Sequence, residues 1–202
     1  MIALIDSKAG NLTSVRKALA AVGAEFFTPE QAEDLDRARG IIVPGVGHFG
    51  ATRALDAAWV RRIHGHVSDG KPLLGICLGM QWLYESSEEA PDLPGLGLLK
   101  GHCFRLRPPA ADPGIKVPHV GWNSLDMVRP DLIANGVTNH SQVYFTHSYV
   151  APVTDDSVAS TSHGQTFASV AQLGRVAGVQ FHPEKSGEVG LQFLRNFLRT
   201  VL

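Results

Sequence analysis

Cysteine is scarce in this chain, with two residues, Cys77 and Cys103, among 202. Two thiols build no disulfide framework, and no CxxC pair or Cys/His quartet has the spacing of a zinc site. No apolar run approaches the roughly 20 residues that span a bilayer. The opening MIALIDSKAG has an apolar strand but not the basic n-region and long apolar stretch of a secretory signal. Charge of one sign is lacking too: 18 Lys plus Arg against 19 Asp plus Glu leave a net −1, with no basic run to grip nucleic acid. These absences lead to the expectation of a soluble protein in a reducing, cytoplasmic setting. At 44% hydrophobic content, the length suits one well-buried core and therefore one domain over residues 1–202.

What is present centres on Lys71–Gln81, KPLLGICLGMQ. Pro72–Ile76 reads as a short buried strand, Cys77 follows at once, and Leu78–Glu85 has helical apolar spacing. Gly75 and Gly79 flank the thiol two residues away on either side. That is a nucleophile elbow with cysteine in place of serine, a strand-to-helix turn with no room for nearby Cβ atoms. A thiol at such a helix start meets unpaired N–H groups that favour a thiolate. The alternative is one more buried, inert cysteine.

Val179–Lys185, VQFHPEK, supplies what a thiol nucleophile needs. His182 is a base, and Glu184, two residues on and so directed to the same side of an extended chain, can hold its tautomer. Pro183 stiffens the bend between them. A glycine-rich turn, Val43–Phe49, follows the apolar run Gly40–Val43. Its backbone N–H groups at Gly45, Val46 and Gly47, together with that of Leu78, are candidates for an oxyanion hole, and Gln81 for substrate binding.

Along the chain, strands are expected at Ile2–Ile5, Glu25–Thr28, Ile41–Val43 and Leu73–Ile76, alternating with helices over Leu12–Val22 and Ala51–Val67. Such alternation argues for an α/β fold of three layers, a mostly parallel sheet with helices on both faces. From Gly95 onward short strands with Pro/Gly breaks, among them Leu98–Phe104, Val143–Val150, Val158–Ser162, Phe167–Leu173 and Val176–Phe181, read as a mixed or antiparallel extension. A C-terminal helix from about Glu188 to Leu202 closes it. Of nine histidines, His64 and His66 are placed on or near a polar helix face, and His102, His140 and His163 in loops or edges. His48, His119 and His147 are read as possible lining of a partner-facing surface, and a metal role is not expected for them.

PGVGHF, GICLGMQ and HPEKS together resemble the class I glutamine amidotransferases, which release ammonia from glutamine. Within that family the opening DSKAGNL, VPHVGWN (Val117–Asn123) and YFTHSY (Tyr144–Tyr149) are most similar to the glutaminase subunits of imidazole glycerol phosphate synthase. The resemblance covers residues 1 to about 186. It departs at Ser7, where an aromatic residue is common, and at Gly187, where serine usually repeats; both leave interface detail open. It implies a Cys77–His182–Glu184 triad, no cofactor, L-glutamine as substrate, and a heterodimer whose other member is a separate cyclase subunit. Asn11, Trp122, Tyr144 and Lys185 are the implied partner-facing residues. The chain has no P-loop and is short for a (β/α)₈ barrel of roughly 250 residues, so an acceptor for ammonia must come from elsewhere. Glutaminases for anthranilate or aminodeoxychorismate usually carry histidine where Met80 stands, and those for pyridoxal phosphate show a different turn. A non-catalytic cysteine redox sensor on the same fold would have no use for the His182–Glu184 pair.

Overall fold

A computed structural model of the protein describes residues 1–6, 12–107 and 114–201. Asn11 and most of the DSKAGNL segment lie outside the described residues. The first half alternates as expected: β1 (Ile2–Leu4), α1 (Leu12–Ala21), β2 (Phe26–Phe27), β3 (Gly40–Gly45), α2 (Ala57–Ser68), β4 (Leu73–Cys77) and α3 (Leu78–Leu83). The second half is mainly strands: β5 (Ser86–Ser87), β6 (His102–Arg105), β7 (His119–Ser124), β8 (Asp126–Met127), β9 (Gln142–His147), β10 (Tyr149–Val150), β11 (Ser157–His163), β12 (Gln165–Leu173) and β13 (Val176–Val179), before helix α4 (Gly187–Val201).

Eight strands form the main sheet in the order β2-β1-β3-β4-β13-β12-β11-β8. The first five run parallel, and the last three join antiparallel, which is the expected mixed extension. Alternation along β1 builds both faces at once. Ile2 and Leu4 enter a cluster with Val15 and Leu19 of α1 and Phe193 and Phe197 of α4. Ala3 points the other way, into a cluster with Ile63 of α2 and Met80 and Leu83 of α3. Strand β13 is inserted beside β4 in the sheet although about a hundred residues separate them in sequence. That placement carries the segment after β13 to the same sheet end as Cys77.

Three expectations are corrected. The helix over Ala51–Val67 is two pieces, a 3-10 turn at Phe49–Ala54 and then α2. Asp56 causes the break, because its carboxylate caps a new helix by accepting from Ala58 N–H at 2.8 Å and Trp59 N–H at 3.4 Å. The strand over Val143–Val150 splits at Ser148: β9 pairs with β7 in a two-stranded ribbon, whereas β10 pairs with β6. His66 is buried rather than on a polar face, with Nε2 3.1 Å from the Pro72 carbonyl.

Candidate active site

Cys77 ends β4 and begins α3 with φ +53° and ψ −107°, a conformation that costs a residue with a Cβ roughly 1–3 kcal/mol. Its neighbours make the turn possible. A Cβ on Gly79 would lie 1.8 Å from the Val43 carbonyl oxygen, and one on Gly75 would lie 2.5 Å from that of Gly79. The helix start is therefore pressed against β3 and β4 more closely than any side chain allows.

Register then assembles the surroundings. Gly45 of β3 sits directly across from Cys77. A Cβ on Gly45 would meet that of Leu78 at 3.1 Å, so the glycine turn lies against the helix start. Val46, Gly47, Leu78 and Gln81 line one cavity of about 290 Å³ together with Cys77. Gly45 lines a second cavity, of about 110 Å³, with His182, Glu184 and Lys185, and Val46 borders both. Gly47 has φ +96°, in the range that favours glycine.

His182 and Glu184 follow β13. The imidazole Nδ1 is 2.8 Å from Glu184 Oε1, and both side chains are buried, at 2% and 6% exposure. Burial by itself pulls His182 down, but the influence of Cys77, joined by that of Glu184, outweighs burial and raises it to about 10. His182 Nε2, the ring nitrogen that Glu184 does not engage, is buried as well. Cys103 is a different environment: fully buried, its thiol is pushed well up by desolvation.

The ribbon β7–β9 presents two unlike faces. Val120 and Trp122 are exposed, Trp122 meets Tyr144 edge-on at 6.2 Å, and Lys185 Nζ lies 5.5 Å over the Tyr144 ring. The backbone behind that face is tied to the His182 loop. His182 N–H donates to the Tyr144 carbonyl at 2.9 Å, Tyr144 N–H donates to Ser186 Oγ at 3.0 Å, and Ser186 Oγ donates to the His182 carbonyl at 2.7 Å. The inner face corrects the expected surface role of His119 and His147. Both are buried, 3.1 Å apart, with His119 stacked on His163 at 4.0 Å. Desolvation lowers His119 to about 4 and holds His147 well below its ordinary value. His48 stays exposed, its Nδ1 accepting from Gly50 N–H at the start of the 3-10 turn.

Two residues were missed by the sequence reading. Glu89 lines the larger cavity and accepts from Phe49 N–H through Oε2 at 2.6 Å. It arrives from a polar loop with no periodic signal. Gln180 is fully buried 3.6 Å from Cys77 Sγ, and its signal was visible as a polar residue within the apolar run Val176–Phe181.

The glutamine amidotransferase class-I family model matches residues 3–201. A Bacillus cereus (strain B4264) protein named imidazole glycerol phosphate synthase subunit HisH is 45% identical, with 98% of this chain and 93% of the relative covered. The protein of that name from Methanothermobacter thermautotrophicus is 40% identical over 100% of this chain and 99% of its own length. Among solved structures, one described as a glutamine amidotransferase superposes with a TM-score of 0.76 at 19% identity, covering 99% and 98% of the two chains. A glutamine amidotransferase from Thermotoga maritima reaches 0.69 at 14%, covering 99% and 97%, and these distant likenesses bear on the fold alone. Full-length matching at 40% identity and above leaves no segment of the described fold outside the relationship, and this chain belongs to the class-I glutamine amidotransferases.

Proposed function

We propose that this chain is the glutaminase subunit of an imidazole glycerol phosphate synthase, hydrolysing L-glutamine and passing the ammonia to a separate cyclase subunit. The observation that carries the chemistry is a strained Cys77 on the wall of one cavity that, with Glu184, raises the pKa of a His182 lining the adjoining cavity. The relatives' shared name supports the pathway. The cavity of about 290 Å³ suits an amino acid, close to the lower end of small-molecule sites at roughly 300 Å³. Glu89 offers a carboxylate to the α-ammonium group of glutamine from the wall of that cavity.

In this reading the Cys77 thiolate attacks the side-chain amide carbon, and N–H groups of the Gly45–Gly47 turn and of Leu78 receive the oxyanion. The His182 imidazolium gives its proton to the amide nitrogen, the C–N bond breaks, and ammonia leaves. Water then attacks the γ-glutamyl thioester as His182 takes its proton. Collapse of that second adduct returns the thiolate and releases glutamate, whose new carboxyl ionises in solvent. Glutamine and water thus become glutamate, a proton and ammonia.

Val120, Trp122, Tyr144 and Lys185 form the proposed cyclase-facing surface. The backbone bonds from Tyr144 through Ser186 to His182 supply a direct route from docking to the triad. No helix among the described residues is long and apolar enough to cross a membrane. Steady-state glutamine hydrolysis by the chain alone, with the cyclase, and with the cyclase plus its nucleotide ligand tests the reading. A rise at each addition is expected, and equal rates in all three would reject coupling.

A further inference from the structure

Two buried glutamines run from the wall of the larger cavity to the sulfur, and their amide orientations follow from one fixed acceptor. The Tyr149 backbone oxygen can only accept, and it receives Gln81 Nε2 at 2.8 Å. Gln81 therefore turns its amino group to that end of the site. The same Nε2 lies 3.1 Å from the Gln180 amide, which must present its oxygen there. That choice leaves Gln180 Nε2 as the group 3.6 Å from Cys77 Sγ, an N–H donor aimed at the sulfur. The Gln180 backbone is held as well, its N–H donating to the Ser169 carbonyl at 2.9 Å.

We infer that Gln180 is a positioning residue for the nucleophile, donating a hydrogen bond to the Cys77 thiolate and coupling it through Gln81 to the Tyr149 carbonyl at the substrate cavity. The inference rests on the reading of Cys77 as the nucleophile. Gln180 is 0% exposed, where an amide is costly unless its groups are used, and the orientation above uses its oxygen on Gln81 and its nitrogen on sulfur. A sulfur carrying negative charge is the better acceptor, so the donor favours the thiolate over the thioester state. The link also acts in reverse: whatever shifts the Tyr149 carbonyl loosens Gln81, then Gln180, then the sulfur.

Gln180→Glu separates the two duties. It keeps length and an acceptor for Gln81 but replaces the donor near the sulfur with oxygen. The rate of Cys77 alkylation by iodoacetamide, read by peptide mapping, is expected to fall about ten- to a hundred-fold, the usual range for a hydrogen bond to a charged group. Turnover of glutamine should fall with it while KM changes less than about threefold, since the new carboxylate still accepts from Gln81. Gln180→Met, which brings neither donor nor charge, should show the same loss of alkylation with a normal unfolding transition. It should also raise KM, because Gln81 then loses its acceptor. Wild-type alkylation rates in both variants overturn the inference. Cys77→Ser measured alongside distinguishes the failures: if it is inactive while the Gln180 variants behave as wild type, only the role of Gln180 falls. Retained turnover in Cys77→Ser removes the nucleophile, and the inference with it.

Discussion

Replacing Glu184 by glutamine isolates the charge that the His182–Glu184 pair contributes. Glu184 Oε1 sits 2.8 Å from His182 Nδ1, and Oε2 is buried without a hydrogen-bond partner among the described residues. A glutamine that turns its oxygen to Nδ1 therefore keeps the orienting bond and removes only the negative charge. At an effective dielectric of about 20, a unit charge about 4 Å away contributes roughly 4 kcal/mol, or about 10³ in rate. Burial lowers His182, and Cys77 provides the largest of the influences that raise it to about 10, with Glu184 behind it. The value should thus drop in Glu184→Gln, and further in Cys77→Ala, which removes the largest raising influence. Imidazole-nitrogen NMR across a pH titration reads the order of those shifts directly. Turnover at saturating glutamine should fall about 10²–10³-fold in Glu184→Gln. The loss should be larger still in Glu184→Ala, where the orienting bond goes too. A His182 titration unchanged in Glu184→Gln, with near-normal turnover, would refute this account of the pair.

Other expectations follow from the same geometry. Gly79→Ala forces a Cβ to 1.8 Å from the Val43 oxygen, so loss of several kcal/mol of stability is expected in a denaturant titration, beyond the usual overpacking cost of about 1–3. His119 is lowered to about 4, chiefly by desolvation, so the unfolded state takes up its proton first. The fold should lose stability as pH falls from about 6.5 toward 4, and His119→Gln should flatten that part of the curve of thermal midpoint against pH. Trp122→Ala removes an exposed aromatic from the proposed docking face. Calorimetry should show cyclase affinity reduced by about 2 kcal/mol, roughly 30-fold, with no change in glutamine hydrolysis by the chain alone.

Much of this site was legible because its parts are local in sequence. The elbow needs Gly75, Cys77 and Gly79 within five residues, and the backbone geometry explains each of them. His182 and Glu184 are likewise two residues apart, and the parallel strands β1 to β4 follow from local alternation of strand and helix, whereas β13, the fifth, was read only as part of the mixed extension. Features set by tertiary placement did not show. Asp56 ended one helix and began another through a side-chain cap, although the apolar spacing runs on through it. His119 and His147 became buried because β7 and β9 pair as a ribbon, and a pairing between strands well apart in the chain leaves no mark in either segment alone. Glu89 and Gln180 take their significance from neighbours 40 and 103 positions away, at Phe49 and Cys77.

The most direct measurement is rapid quenching of the complex with the cyclase during turnover, followed by mass mapping of the thiol peptides. The expected result is a γ-glutamyl thioester on the peptide that holds Cys77, formed and discharged at the rate of glutamate release, and absent when His182 is replaced by alanine. Turnover without acylation of Cys77, or acylation confined to Cys103, would contradict the account.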